Sequence, residues 1–148
     1  MKKFFVLAAA AAFALVACNK DNPTVEGSGN NDGGQTVSGL VLNELSGADK
    51  FIELYNTTDK EINLDGVYLV KYDSSKEGGK STTWTGKGGI KIAAKGFVVL
   101  ESSDLADEAE GGDPNYAYES ANHVFKGGLS GKKNVFIELY SAKDEKLS

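Results

Sequence analysis

The chain contains no arginine. Bidentate contacts to phosphates and base edges rely on the guanidinium fork, and non-specific nucleic-acid binding needs clustered positive charge. The 16 basic residues are therefore all lysines, outnumbered by 21 acidic residues for a net charge of −5. They are spread singly, with Lys132-Lys133 the only pair beyond the leader, so nucleic acid is not an expected partner. There is one cysteine, Cys18, and a disulfide framework is impossible. There is one histidine, His123, in Asn122-His123-Val124-Phe125. No G-x-S-x-G elbow accompanies it, and a lone histidine at the start of a strand reads as a turn or surface residue. Sustained 3.6-residue periodicity is also missing after the first 17 residues, which leaves no long amphipathic helix to build on.

What is present begins with Met1-Lys2-Lys3 and an apolar stretch from Phe4 to Ala17, the form of a signal-peptide core and too short for a permanent membrane span. It ends in Leu15-Val16-Ala17-Cys18, which resembles the lipobox of bacterial lipoproteins. That resemblance implies cleavage before Cys18 and acylation of the thiol and the new amino terminus. Several acyl chains on one residue anchor stably where a single chain is marginal. Loss of Lys2 and Lys3 leaves 14 lysines against 21 acidic residues, a mature balance of −7. Residues 18–38 (CNKDNPTVEGSGNNDGGQTVS) are polar and rich in Gly and Asn, as a flexible tether would be. Asp21, soon after the cysteine, resembles the export signal of Bacteroidetes-type surface lipoproteins. The expected organisation is a signal peptide at 1–17, a lipidated linker at 18–38 and one folded domain at 39–148.

Within that domain, LVLNEL, FIELY and GVYLV occupy residues 40–70, separated by SGADK and NTTDKEINLD. Short apolar runs rich in Val, Ile, Leu, Phe and Tyr and bounded by Gly, Asn and Asp read as strands joined by turns. The pentapeptide Phe51-Ile52-Glu53-Leu54-Tyr55 recurs as Phe136-Ile137-Glu138-Leu139-Tyr140. With a period of two, Ile52 and Leu54 point to the core and Phe51, Glu53 and Tyr55 to the outer face, and the same division holds for the second copy. Asp65-Gly66 marks a tight turn, Ile90 and Ile92 alternate with polar neighbours, and FVVLE follows a turn at Ala94-Lys95-Gly96. Two polar excursions interrupt the strands, at 73–89 and at 102–122, with a short helical turn near Asp104–Glu110 capped by Ser103. Another turn is expected at Lys132-Lys133-Asn134. The domain reads as all-β, with about seven or eight short strands in a sandwich or barrel.

The ordered series Asn43-Glu44, FIELYN, INLDGVYLV, Gly-Phe-Val-Val-Leu after Ala-Ala-Lys, and Gly-Leu-Ser-Gly before the second FIELY resembles the lamin-tail domain. The resemblance covers about residues 39–146 and implies an immunoglobulin-like β-sandwich acting as a binding or accessory module, not a catalyst. Lamin tails are associated with chromatin and protein partners, and this acidic chain lacks the charge for the first. Bacterial copies often stand beside hydrolase or nuclease domains, and family members usually continue past the point reached at Ser148. A second reading is therefore an anchoring module of a longer secreted hydrolase or nuclease.

Three groups of residues are candidates for function. Trp84, Tyr116 and Tyr118 lie on the two excursions and could form an aromatic platform for a glycan or protein, with burial over the sandwich end as the alternative. Asp104, Asp107, Glu108, Glu110 and Asp113 crowd one Gly-containing loop and could offer oxygen ligands to calcium, although the spacing is not that of an EF-hand and a solvated acidic loop explains it too. Glu53 and Glu138 would suit glycoside hydrolysis only if they converged, and equivalent places on different strands need not converge. The expectation is thus a cell-envelope lipoprotein held at the outer membrane through Cys18, facing the periplasm or the cell surface. Its sandwich binds a protein or an envelope or glycan partner without catalysis and without an obligatory cofactor.

Overall fold

The structure, a computed structural model, describes residues 37–73, 78–129 and 134–148. The expected signal peptide, Cys18, the linker up to residue 36 and the turn at Lys132-Lys133 lie outside the described residues. Among the described residues the only helical turns are 3-10, and no helix is long and apolar enough to cross a membrane.

Among the described residues nine strands form: β1 (Leu40–Ser46), β2 (Phe51–Asn56), β3 (Ile62–Asn63), β4 (Tyr68–Asp73), β5 (Lys80–Thr85), β6 (Lys91–Ile92), β7 (Phe97–Ser102), β8 (Val124–Phe125) and β9 (Val135–Tyr140). One sheet has the order β1-β2-β7-β8, antiparallel except for the β7–β8 pair, and the other has the order β5-β4-β9, antiparallel throughout. A two-stranded β3–β6 ribbon completes the fold. Lys126, just after β8, donates its backbone N–H to the Thr83 carbonyl of β5 at 2.8 Å and ties the two sheets together along one side. The chain returns beside β9 at its far end, where Leu147 N donates to Leu139 O at 2.8 Å and Leu139 N to Ser148 O at 2.8 Å.

The alternation in the two FIELY segments decides which side chains are inside. Ile52, Leu54, Leu100 and Phe125 come from the four-stranded sheet, and Leu69, Trp84 and Leu139 from the three-stranded one. These layers meet in one core with Leu64, Val67 and Ile92, the expected immunoglobulin-like sandwich. Ile137 packs against the core less deeply than Ile52 does. Val37, expected in the linker, is buried there as well, so packing begins two residues ahead of the expected domain start.

The segment 73–89 differs from its expected form. Residues 80–85 (KSTTWT) are strand β5, with Thr83 and Trp84 buried and the rest exposed. A Ser/Thr-rich strand lacks the apolar run by which the others announce themselves, yet threonine is β-branched and fits a pleated surface. The excursion 102–122 remains irregular but carries three short 3-10 turns, Ser103–Leu105, Glu108–Glu110 and Ala121–His123. The first is capped by Ser102, one residue before the expected Ser103, because the Ser102 hydroxyl accepts from Asp104 N at 3.0 Å.

Asn56 closes β2 with a side chain that is wholly buried. Its amide nitrogen donates to Lys60 O at 2.6 Å, Ala93 O at 2.9 Å and, longer, Ile92 O at 3.3 Å. Its oxygen accepts from Thr58 N at 2.9 Å and Thr58 Oγ1 at 2.7 Å. One amide thus clamps the loop after β2 to the end of β6. Gly86 has a different constraint, since a Cβ there would stand 2.0 Å from the Leu64 carbonyl oxygen.

Candidate functional site

Of the three expected platform aromatics, Trp84 is corrected by its burial. Its ring is 4 % exposed in the core, and its indole N–H donates to Asn122 O at 2.8 Å, so no ring face is offered to a ligand. Tyr116 and Tyr118 do meet, edge to face with centroids 5.1 Å apart. Tyr118 works inside the loop, its hydroxyl lying 3.0 Å from the carbonyls of Ser102 and Ser103 and accepting from Ala106 N at 3.3 Å. Tyr116 is the one exposed member, and its hydroxyl donates to Glu101 Oε1 at 2.5 Å. That bond to a carboxylate raises the Tyr116 pKa.

The acidic loop does not assemble a cation site: among the described residues no three of its side chains come together to hold a metal ion. Asp107 and Asp113 are turned to local backbone, accepting from Ala109 N at 3.0 Å and from Asn115 N at 2.9 Å. Glu108 and Glu110 are exposed on a 3-10 turn, and Glu110 borders a groove that Lys50, Asp104 and Asp107 also line. The loop's cation is the protein's own: Lys50 Nζ donates to the carbonyls of Asp104 at 3.3 Å and Glu110 at 3.2 Å. Calcium would compete with an ammonium already in place.

Glu53 and Glu138 lie on opposite sheets, so they form no catalytic carboxylate pair. Glu53 accepts from Asn43 Nδ2 at 2.6 Å. Glu138 is held far more elaborately, and its surroundings form a feature that motif reading did not single out.

On the outer face of the β5-β4-β9 sheet the register sets Tyr68 opposite Tyr140, Val70 opposite Glu138 and Tyr72 opposite Phe136. Successive rows stand two residues apart, so the two aromatic rows are separated by roughly 13 Å. The Tyr68 and Tyr140 rings are nearly parallel, 6° apart with centroids at 5.1 Å, and Tyr72 and Phe136 meet at 6.2 Å and 40°. Phe136 is 57 % exposed and Tyr72 37 %. Between the rows, Glu138 bridges Lys80 at 2.9 Å and Lys146 at 3.0 Å, and accepts from the Tyr140 hydroxyl at 3.0 Å. These donors, Lys80 foremost and then Lys146 and Tyr140, hold its pKa down at about 2, and Glu138 in turn raises that of Lys80. At the far end Tyr68 donates to Asp144 Oδ1 at 2.8 Å, which raises the Tyr68 pKa. Tyr72, Lys80, Phe136, Ile137, Glu138 and Lys146 line a shallow groove of about 350 Å³.

The arrangement is suited to contact. A general acid at neutral pH needs a carboxyl with a raised pKa, and Glu138 has the opposite. Exposed rings flanking a fixed ion cluster can instead stack and hydrogen-bond at the same time. The sequence signal for this site was the recurrence of FIELY together with VYLVKY, but which rings meet depends on the β4–β9 register.

Compared with known proteins, the chain matches the sequence model of the Lamin Tail Domain over residues 20–148. No curated protein matches it.

Proposed function

Because the chain belongs to the lamin tail domain family, we propose that it is a lipid-anchored protein of the bacterial cell envelope whose β-sandwich is a non-catalytic interaction module. The anchor reading is supported by the leader Met1–Ala17, the Leu-Val-Ala-Cys sequence ending at Cys18, and the polar Gly- and Asn-rich tether that follows. Such a protein sits at the outer membrane with the sandwich toward the periplasm or the outside.

The observation that carries the interaction reading is the outer face of the β5-β4-β9 sheet, where exposed Tyr72 and Phe136 border the Lys80–Glu138–Lys146 cluster. Exposed aromatics grouped on one face mark contact surfaces on soluble domains. Fractionation tests the anchor: Cys18→Ala moves the protein from the membrane to the soluble fraction, and unchanged partitioning refutes lipidation. For the surface, wild-type protein retains a component of envelope extracts that the Tyr72→Ala/Phe136→Ala double variant, melting as wild type does, fails to retain. Equal retention by both proteins places the contact elsewhere.

A further inference from the structure

We propose that the outer face of the β5-β4-β9 sheet binds a neutral glycan, with a sugar ring stacked on Tyr72 and Phe136 and its hydroxyls bonded to Glu138, Lys80 and Lys146. This rests on the reading of that face as the binding surface and specifies the chemistry of what it holds.

The ion cluster selects among occupants. A protein partner covering this face, or a lipid surface laid over it, would strip water from two ammonium groups and a carboxylate. The desolvation of each costs several kcal/mol unless new partners are supplied with good geometry. A polyhydroxylated ligand supplies them, because every hydroxyl both donates and accepts. It can bond the free lone pairs of Glu138 and the remaining protons of Lys80 and Lys146 without leaving a charge unsolvated. The same ligand carries apolar C–H faces, and Phe136 and Tyr72 expose enough ring surface to receive one. The Lys80, Lys146 and Tyr140 contacts fix the Glu138 carboxylate before any ligand arrives, so little order remains to be imposed on binding.

The charge balance argues for a neutral glycan over an anionic one. Lys80 and Lys146 are offset by Glu138 and by Asp144, which holds the Tyr68 hydroxyl at the end of the same face. No net positive charge is left to attract a polyanion, and the chain as a whole carries −5, which repels one. The opposite sheet shows the contrast. Its copy of the pentapeptide places Tyr55 against Phe97 (centroids at 5.0 Å), but Glu53 there accepts from Asn43 and, among the described residues, makes no ion pair.

The test uses the full chain in detergent against an array of neutral oligosaccharides (cello-, xylo-, manno- and laminari-oligosaccharides) and oligogalacturonate as the anionic probe. The expected result is binding of at least one neutral oligosaccharide, weakened about tenfold by Phe136→Ala and by Tyr72→Ala, the scale of one aromatic contact. Glu138→Gln weakens it as well. Phe97→Ala, an equally exposed ring on the opposite sheet, leaves it unchanged and controls for general damage. Absence of binding to any neutral oligosaccharide overturns the proposal, as does binding of oligogalacturonate alone, or a dimer in solution that Phe136→Ala dissociates. If no neutral oligosaccharide binds yet the double variant still loses its envelope component, the glycan assignment fails and the surface reading stands. If glycan binding follows Phe97 and ignores Phe136, both fail.

Discussion

Replacing Asn56 by aspartate exchanges one amide for a carboxylate of the same shape, and the structure states what that should cost. The Asn56 nitrogen is a donor surrounded by three carbonyl oxygens, those of Lys60, Ala93 and Ile92, in a place with no exposure to solvent. Asn56→Ala removes all these bonds. Lys60 and Ala93 lie at exposed positions where water can replace the lost donor, so the net loss is about 2–3 kcal/mol, including the small void. Asn56→Asp keeps the acceptor for Thr58 but turns a negative charge toward the three carbonyls, and should be more damaging than alanine at pH 7. Burial and the carbonyls raise the folded-state pKa of that aspartate above its unfolded value of about 3.9. Its penalty is then fully present above the folded pKa and relaxes as pH falls through it, because the protonated carboxyl can donate again. Urea unfolding followed by the fluorescence of Trp84, the one tryptophan and a buried one, reads the effect directly. A loss of 2–3 kcal/mol lowers the midpoint by about 1–2 M at the usual urea dependence of a domain this size. If Asn56→Asp is as stable as wild type at pH 7, or its deficit relative to Asn56→Ala does not shrink toward pH 4, the clamp does not act as described.

Three further outcomes are expected. Gly86→Ala, whose Cβ would collide with the Leu64 carbonyl, should cost about 3 kcal/mol by displacing backbone, and a melting temperature within a degree of wild type would contradict the packing. The Glu138 carboxyl, followed by NMR, should titrate near 2 and not near 4.5; its stabilising contribution is complete above the unfolded pKa and fades as pH falls toward 2, a change absent in Glu138→Gln. Lys50→Met removes the ammonium between the Asp104 and Glu110 carbonyls and should lower stability by about 1 kcal/mol, while millimolar calcium leaves the wild-type melting temperature unmoved; an increase reversed by EDTA would show that the loop accepts the ion despite Lys50.

The strand frame was legible because its residues alternate cleanly. Ile52 and Leu54 against Phe51, Glu53 and Tyr55 can be sorted with no knowledge of partners, and the burial follows that sorting. Strand β5 was hidden because its sequence, KSTTWT, buries only Thr83 and Trp84 and otherwise looks like the loop around it. The same loop-like surroundings suggest an aromatic platform that the burial of Trp84 removes. Asn56 opens the polar segment after FIELY, and nothing local distinguishes an asparagine that faces solvent from one that holds three carbonyls. The candidate site was illegible for another reason. Tyr68, Tyr72, Glu138 and Tyr140 were each visible, but the pairing of β4 with β9 joins residues nearly seventy positions apart, and Lys146 reaches Glu138 only because the chain turns back after Tyr140.

The repeated pentapeptide also bears on how this chain finds its fold. Early in folding, two identical strands are available to the edges of β1, β4 and β7, and within the pentapeptide nothing tells them apart. A swap would keep the hydrophobic alternation intact, so it would be a compact trap and not an obvious error. The discrimination falls on the residue that follows each copy. After the first it is Asn56, whose buried amide bonds the loop and the β6 end described above. After the second it is Ser141, also buried, whose hydroxyl accepts from Lys143 N and Glu145 N at 3.1 Å each and shapes the turn that brings Lys146 back. Two buried polar side chains, one after each copy, thus set identical pentapeptides in different surroundings.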